Sequence, residues 1–475
     1  MTKLDKKFGL VILAFQLAMI ICFAKITTYN DDDEAKNCTT PNYQNKMNHY
    51  YSMFQDVQIM ILVGFGMLMT FLKKYCYSGV SLNFLISAVT FQYAIICSRI
   101  EGPVKINIET LDLSVPIFYV LSDRTFLNFF YFTLVDADVL TAAILISLGA
   151  VLGKVTPLQI LLMVIVETPI LVGNKYFSNL LQVVDVGGSI TIHTFGTYFG
   201  LAVSRIISKP KNTKLELSSY NSDMFSIIGA LFLWVFWPSF NSISSSSDKA
   251  YERAILNTYL SLTASCIICF ALSSLTDVKY KFNMNHVQNA TLAGGVAIGT
   301  VADLKIPPWT SILIGSIAGA ICVIGFVYIQ PWLLKYCSLH DTCGINNLHG
   351  MTSILAAVVA AITAGQASKE LYGDEFEVLF PAMGSHGNNG ILDATNRTAG
   401  MQAAYQILVL VLTLMIAITG GSIAGILIKL GTQVVGYVPD EFIYDDNFLF
   451  SDVDDNESSF NKRISAVNII SESIN

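Results

Sequence analysis

Two short stretches of this sequence carry the side chains best suited to chemistry. "DVGGSITIH" contains Asp185, Gly188, Ile192 and His193, and "DTCGINNLH" contains Asp341, Gly344, Leu348 and His349. Each reads Asp, two residues, Gly, three residues, an aliphatic residue, then His. The chain has only six histidines in 475 residues, so a doubled arrangement asks for a cause. A neutral imidazole offers one donor and one acceptor, so two of them hydrogen-bond each other and leave free edges for a small polar visitor such as ammonia or water. A protonated pair would repel itself in a site away from water, which favours the uncharged form. A metal hydrolase would need three or four converging ligands, and only these two histidines are placed to meet. No metal and no cofactor is therefore expected.

The elements that must position these histidines are membrane helices. Hydrophobic residues make up 53% of the chain and charged residues 13%, a balance foreign to soluble domains. Twelve apolar stretches are each long enough to cross a ~30 Å hydrocarbon core as a helix. They lie at about 8–29, 54–72, 79–99, 134–153, 156–174, 186–207, 223–243, 254–275, 284–302, 308–330, 346–365 and 402–430. The first Asp/His motif opens the sixth stretch and the second opens the eleventh, which runs in the opposite direction. That is the signature of two five-helix halves with inverted orientation. Eight residues of α-helix advance about 12 Å and turn about 80° beyond two full turns. An aspartate near each membrane face then carries its histidine to mid-depth, and the two imidazoles converge from opposite leaflets. The aspartates, at helix starts with a nearby glycine, suit capping of free backbone N–H groups.

Basic residues set the orientation, because Lys and Arg resist translocation. Lys3, Lys6, Lys7, Lys73, Lys74, Lys154, the run from Arg205 to Lys214, Lys279 and Lys281 all fall on one side of a twelve-span alternation. That side is expected to be cytoplasmic, with both termini inside. The opposite side receives glycosylation sequons at Asn37 and Asn396, while a third at Asn289 sits in an apolar stretch and is expected to be silent. The expected organisation is a leading helix and glycosylated exterior loop over 1–53, a pore domain over 54–431, and an acidic cytoplasmic tail over 432–475. The first apolar stretch reads as a retained helix, not a cleaved leader. The tail, rich in Asp, reads as a solvated, partly disordered extension open to cytoplasmic partners. The nine cysteines, Cys266 and Cys269 among them, read as packing residues. Gly315 with Gly319 and Gly421 with Gly425 read as helix-contact pairs, and Glu167, within the fifth stretch, as a helix–helix contact.

Beyond the histidine motifs, "FQDVQIMILVGFGMLMTFL", "GAVLGKVTP", "DVGGSITIHTFGTYFGL", "LFLWVFWPSFNS", "HVQNATLAGGVAIGT" and "HDTCGINNLHG" resemble the ammonium transporter superfamily, specifically its Rhesus glycoprotein branch. The resemblance spans about residues 50 to 430. It implies an all-α membrane fold: an eleven-helix core of two inverted five-helix halves, an additional N-terminal helix, and a homotrimer with one pore per subunit in the plasma membrane. It also implies facilitated passage of ammonia or ammonium, with carbon dioxide as a second candidate, and neither an enzyme nor a nucleic-acid partner. By position, His193 and His349 resemble the family's twin lumen histidines, Phe240 in "WPSF" one of two outer-gate phenylalanines, and Asp185 and Asp341 its acidic positions near the pore ends.

Two positions depart from the pattern. The second gate phenylalanine is replaced by Val139 after "VDAD", with Phe129, Phe130 or Phe132 as alternative ring donors. Near the outer mouth, Asn174-Lys175 stands where relatives often have Asn-Glu. Valine lacks the aromatic quadrupole and lysine repels a cation, so entry is expected to favour neutral ammonia more than in relatives. Two rival readings fit these residues less well. An ion-coupled secondary transporter would use a mid-membrane carboxylate for its driving ion, whereas the shared midplane groups here are neutral bases. A non-conducting sensor or structural protein would not need both histidines.

Overall fold

A computed structural model describes residues 6–28, 51–98, 127–128, 131–207, 209–210, 213–384 and 396–450. Strand pairing among them is confined to a two-residue parallel pair, Thr27–Thr28 with Leu127–Asn128, and one bridge between Leu72 and Ser218. Everything else that is regular is helical. The helices are α1 Lys6–Ile26, α2 Tyr51–Leu68, α3 Cys76–Ser98, α4 Tyr131–Val151, α5 Pro157–Leu180, and α6, which combines Ser189–Thr194 with Phe195–Ile207. They continue with α7 Tyr220–Ser242, α8 Asp248–Thr276, α9 beginning at Met284–Ala290, α10 Pro308–Cys337, α11 Asn346–Gly365 and α12 Ala399–Leu430.

Ten of these are long and apolar enough to cross a membrane uninterrupted. The other two differ for a physical reason. Helix α9 is broken into Met284–Ala290, Ala293–Ile298 and a 3₁₀ turn Gly299–Val301. Helix α6 carries hydroxyls and a histidine in its first turn and is buried there on every side. Such irregular backbone is tolerated at membrane depth only inside protein or beside a cavity. With these two, the chain is an all-α membrane protein of about twelve spans: α2–α6 and α7–α11 form the inverted halves, and α1 and α12 lie outside the repeat. Helix α12 packs along α6 and α11, and α8 along α10. Leu10, Leu13 and Leu17 of α1, with Ile267 of α8 and Met415 of α12, are exposed apolar residues of the kind that face lipid.

Local sequence explains where the helices start. Thr156 and Gln159 form a reciprocal capping box before Pro157, which supplies a first-turn residue with no N–H to satisfy. Ser219 and Ser222 do the same for α7, and Thr398 caps α12 through Met401 N at 3.2 Å. Small residues set how closely helices approach. A Cβ on Gly200 would lie 2.6 Å from the Cα of Ser147, so α4 and α6 meet backbone to backbone. Gly319 lies against Ser265, and Gly421 and Gly425 against Phe199 and Ile206, which makes both glycine pairs helix contacts.

The acidic tail departs from expectation. Residues 436–450 fold back onto the helix ends instead of being solvated. Tyr444 is fully buried over Gly153, where a Cβ would lie 2.3 Å from the ring and a φ of +76° separately favours glycine. The Asp446 carboxylate accepts from Tyr77 N (3.1 Å) and Ser78 N (2.7 Å) and caps α3. Those carboxylate contacts turn an apparently soluble acid into a packing element. The remainder, 451–475, lies outside the described residues, as does Asn37.

Candidate functional site

Helices α6 and α11 each begin with a π-helical turn, Ser189–Thr194 and Asn346–Gly350, and each turn carries one histidine. The turns are prepared by the preceding motif. Gly188 (φ +66°) and Gly344 (φ +72°) take left-handed conformations that other residues adopt only with strain. The aspartates then cap the turns. Asp185 accepts from Ile190 N (3.1 Å), Thr191 N and Thr191 Oγ1 (both 2.8 Å). Asp341 accepts from Ile345 N (3.0 Å) and Asn346 N (2.9 Å). The stretch between each aspartate and its histidine is therefore not the continuous α-helix that the spacing argument assumed. The chain turns just ahead of Gly188 and bends just ahead of Gly344, and only the residues after each glycine are helical.

The two histidines meet. His193 Nδ1 lies 3.1 Å from His349 Nδ1, with ring centroids 5.1 Å apart and planes within 6°. Because the nitrogens are far closer than the centroids, the rings touch edge to edge in nearly one plane, not face to face. One Nδ1 donates and the other accepts. The donating ring then has a bare Nε2 and the accepting ring an Nε2–H, so the free edges present one acceptor and one donor. His193 Nε2 is buried without a protein partner. The register is locked one residue on, where Thr194 Oγ1 donates to Ser353 Oγ at 2.8 Å.

Aromatic rings flank the pair. Trp237 lies 5.8 Å from His193 with planes 19° apart, and Phe65 lies 6.4 Å from His349 at the same angle. A side chain at Gly295 would run into the Trp237 ring at 2.6 Å. Sequence reasoning missed both aromatics; Trp237, in "WPSF" three residues before Phe240, carried the available signal. Phe240 itself is 6.0 Å from His193.

Cavities approach the pair from both ends. An outer one of about 150 Å³ is lined by Val139, Phe240, Ile192, Asp185 and Lys175. An inner one of about 440 Å³ is lined by His349, Phe65, Leu348, His286 and Glu216. Asn289 also lines the inner cavity, so it sits at the vestibule and not in an apolar environment. Asn396 is exposed at a positive φ of 69° just before α12. Among the described residues no three or more His, Cys, Asp or Glu side chains are grouped to hold a metal, and eight cysteines are free.

The model of the Ammonium Transporter Family matches residues 18–441. The chain belongs to that family. Among curated relatives, it is 38% identical over 482 residues to ammonium transporter Rh type B of Oryzias latipes, covering 98% of this chain and 97% of the relative. It is 40% identical over 446 residues to ammonium transporter Rh type C of Canis lupus familiaris, covering 90% of each. Of solved structures, the Rh50 channel of Nitrosomonas europaea aligns with a TM-score of 0.68 at 28% identity, over 90% of this chain and 99% of that one. A sensor Amt protein shares the fold, with a TM-score of 0.65 at 17% identity, over 87% of this chain and 100% of that one. These relatives set the chain in the Rhesus branch.

Against that family background the two departures look different from each other. Val139 does line the outer cavity together with Phe240, and Phe240 is the one aromatic residue lining it among the described residues. Phe129 and Phe130, and the side chain of Phe132, lie outside the described residues. Lys175 is not the free repelling charge that the sequence suggested: its Nζ pairs with Asp136 Oδ1 at 2.9 Å. A paired lysine projects less positive potential into the mouth. Glu167 is fully buried, with Oε1 in hydrogen-bond contact with the Ser147 hydroxyl and Oε2 without a protein partner; the same hydroxyl lies 2.7 Å from the Gly196 carbonyl, and its one proton serves one of the two at a time. It ties α4 to α5 and α6 rather than reaching the pore cavities.

Proposed function

We propose that this protein is a facilitative ammonium/ammonia channel of the Rhesus type, in which ammonia passes as the neutral molecule along the joined pair of His193 and His349. The observation that carries this reading is the coplanar imidazole pair between an outer and an inner cavity. Ammonium gives up a proton to water at the outer cavity, where the proton stays, because carrying a bare charge through an apolar constriction is the costly step. Ammonia has one lone pair and three N–H groups, so it pairs with both free imidazole edges, giving to the acceptor and taking from the donor. Asp185 and Asp341 act by capping, which holds each π-turn and hence each ring. Phe240 and Val139 form the outer gate. Carbon dioxide, being small and uncharged, fits the same passage. The same reading places the protein in the plasma membrane as a homotrimer, with both termini cytoplasmic and glycans at Asn37 and Asn396.

The test is stopped-flow alkalinisation of proteoliposomes under an ammonium gradient, comparing wild type with His193→Ala and His349→Ala. Loss of the rapid phase in both variants, with folding retained, supports the reading. Wild-type rates in both variants would remove the imidazole pair from the transport path.

A further inference from the structure

A second set of titratable groups lies away from the twin histidines. Lys154, in the turn between α4 and α5, donates to Ser204 Oγ (2.9 Å), His340 O (3.1 Å) and His340 Nδ1 (3.1 Å). An ammonium has three donors, and all three are used. His340 Nδ1 must then be the acceptor, which leaves the proton on Nε2. That Nε2 lies 3.0 and 3.1 Å from the two oxygens of Glu216. The hydrogen bonds are polarised in one direction: ammonium to imidazole, imidazole N–H to carboxylate.

Both ends of this chain open to space, and to different spaces. Glu216 lines the inner cavity that also contains His349. Lys154 lines a separate groove of about 270 Å³, roofed by Tyr437, Val438, Asp440 and Ile443 of the tail segment. The imidazole between them is 5% exposed. A lysine serving only to staple a loop needs no such opening at either end. The other ionisable groups around the chain are Asp341 and Cys343 on its own loop, Tyr444 from the tail, and Lys209, Lys429 and Asp440 at the groove.

We propose that Lys154, His340 and Glu216 form a proton relay that runs from the groove beneath the tail to the inner vestibule and reprotonates ammonia as it leaves the pore. The proposal rests on the channel reading above. In each turnover Lys154 passes a proton to His340 Nδ1, His340 passes its Nε2 proton to Glu216, and Glu216 passes one to ammonia, giving ammonium. Lys154, left neutral, regains a proton from water in the groove, and between turnovers the imidazole returns to its Nε2–H tautomer by exchange with water, one proton arriving at Nε2 as one leaves Nδ1. No proton is created or lost within the chain. Burial lowers the Lys154 ammonium to about 8, partly offset by the nearby Asp341, Glu216 and Cys343. That makes it a better acid than a free lysine, and ammonia is a strong enough base to draw on it.

The experiment uses full-length protein in proteoliposomes with a lumenal pH dye, in buffer-poor medium, with and without millimolar imidazole. His340→Gln is expected to slow the ammonium-driven pH change by at least about tenfold in poor buffer, with imidazole restoring the rate. Glu216→Gln, a half-exposed rim position, is expected to show the same buffer-dependent slowing and carries the test alone if His340→Gln does not fold. Wild-type rates in poor buffer, or slowing that imidazole leaves unchanged, would overturn the relay. If wild-type vesicles themselves show no rapid phase, the channel reading fails instead.

Discussion

Val139→Phe adds a second ring to the lining of the outer cavity, and its effect can be worked from that lining. The outer cavity of about 150 Å³ presents one aromatic residue among its described lining, Phe240, and shares its walls with Val139 and Asp185. A cation against an aromatic face gains about 0.5–2 kcal/mol, which at 25 °C is a factor of about two to thirty in affinity. The substitution should therefore lower the half-saturation concentration for ammonium or methylammonium uptake by a factor in that range. The maximal rate should stay level or fall, because tighter holding at the mouth does nothing for the passage beyond it. Val139→Leu supplies bulk without a quadrupole and should leave half-saturation where it was. The assay is initial-rate uptake in proteoliposomes across a range of total ammonium at fixed pH. A Val139→Phe protein that conducts with unchanged half-saturation, or a Val139→Leu protein that shifts it equally, would refute the aromatic argument.

Two further outcomes follow from the same geometry. Gly200→Ala would press a methyl to 2.6 Å from the Ser147 Cα, so α4 and α6 must separate; a loss of about 1–3 kcal/mol is expected, read as a lower Tm in detergent, and an unchanged Tm would contradict the close packing. Burial raises the Asp185 carboxyl to about 6, against the pull of the Thr191 and Ile190 N–H groups, so it takes up a proton as external pH falls through that value. Apparent affinity for total ammonium should weaken below about pH 6 and Asp185→Asn should flatten that dependence. Because the folded value lies above the ordinary carboxyl value, this group's contribution favours the fold more as pH drops from about 6 to 4, the reverse of a salt-bridged acid.

Much of this was legible in the sequence, for reasons that differ by residue. The inverted halves were readable because Asp185/His193 and Asp341/His349 repeat one spacing on stretches of opposite direction. The glycine pairs were readable because small residues at helical spacing have few other uses in a membrane. What escaped was conformational. Nothing in the pattern separates a π-turn from an α-turn, so the distance from Asp185 to His193 was measured along a helix that does not extend that far. The Asp136 partner of Lys175 comes from α4, and long-range pairing leaves no local mark. Asp446 looked like one more acid in a soluble tail; only the fold brings it to the open N–H groups of α3. The Lys154–His340–Glu216 chain joins residues 154, 216 and 340, whose proximity no local pattern could announce.

On this reading nitrogen crosses as neutral ammonia past two uncharged imidazoles. Simultaneous recording of membrane current and lumenal pH, in proteoliposomes exposed to an inward ammonium gradient, tests it most directly. The account predicts rapid lumenal alkalinisation with no current that scales with ammonium. A current carrying one charge for each nitrogen delivered would contradict it.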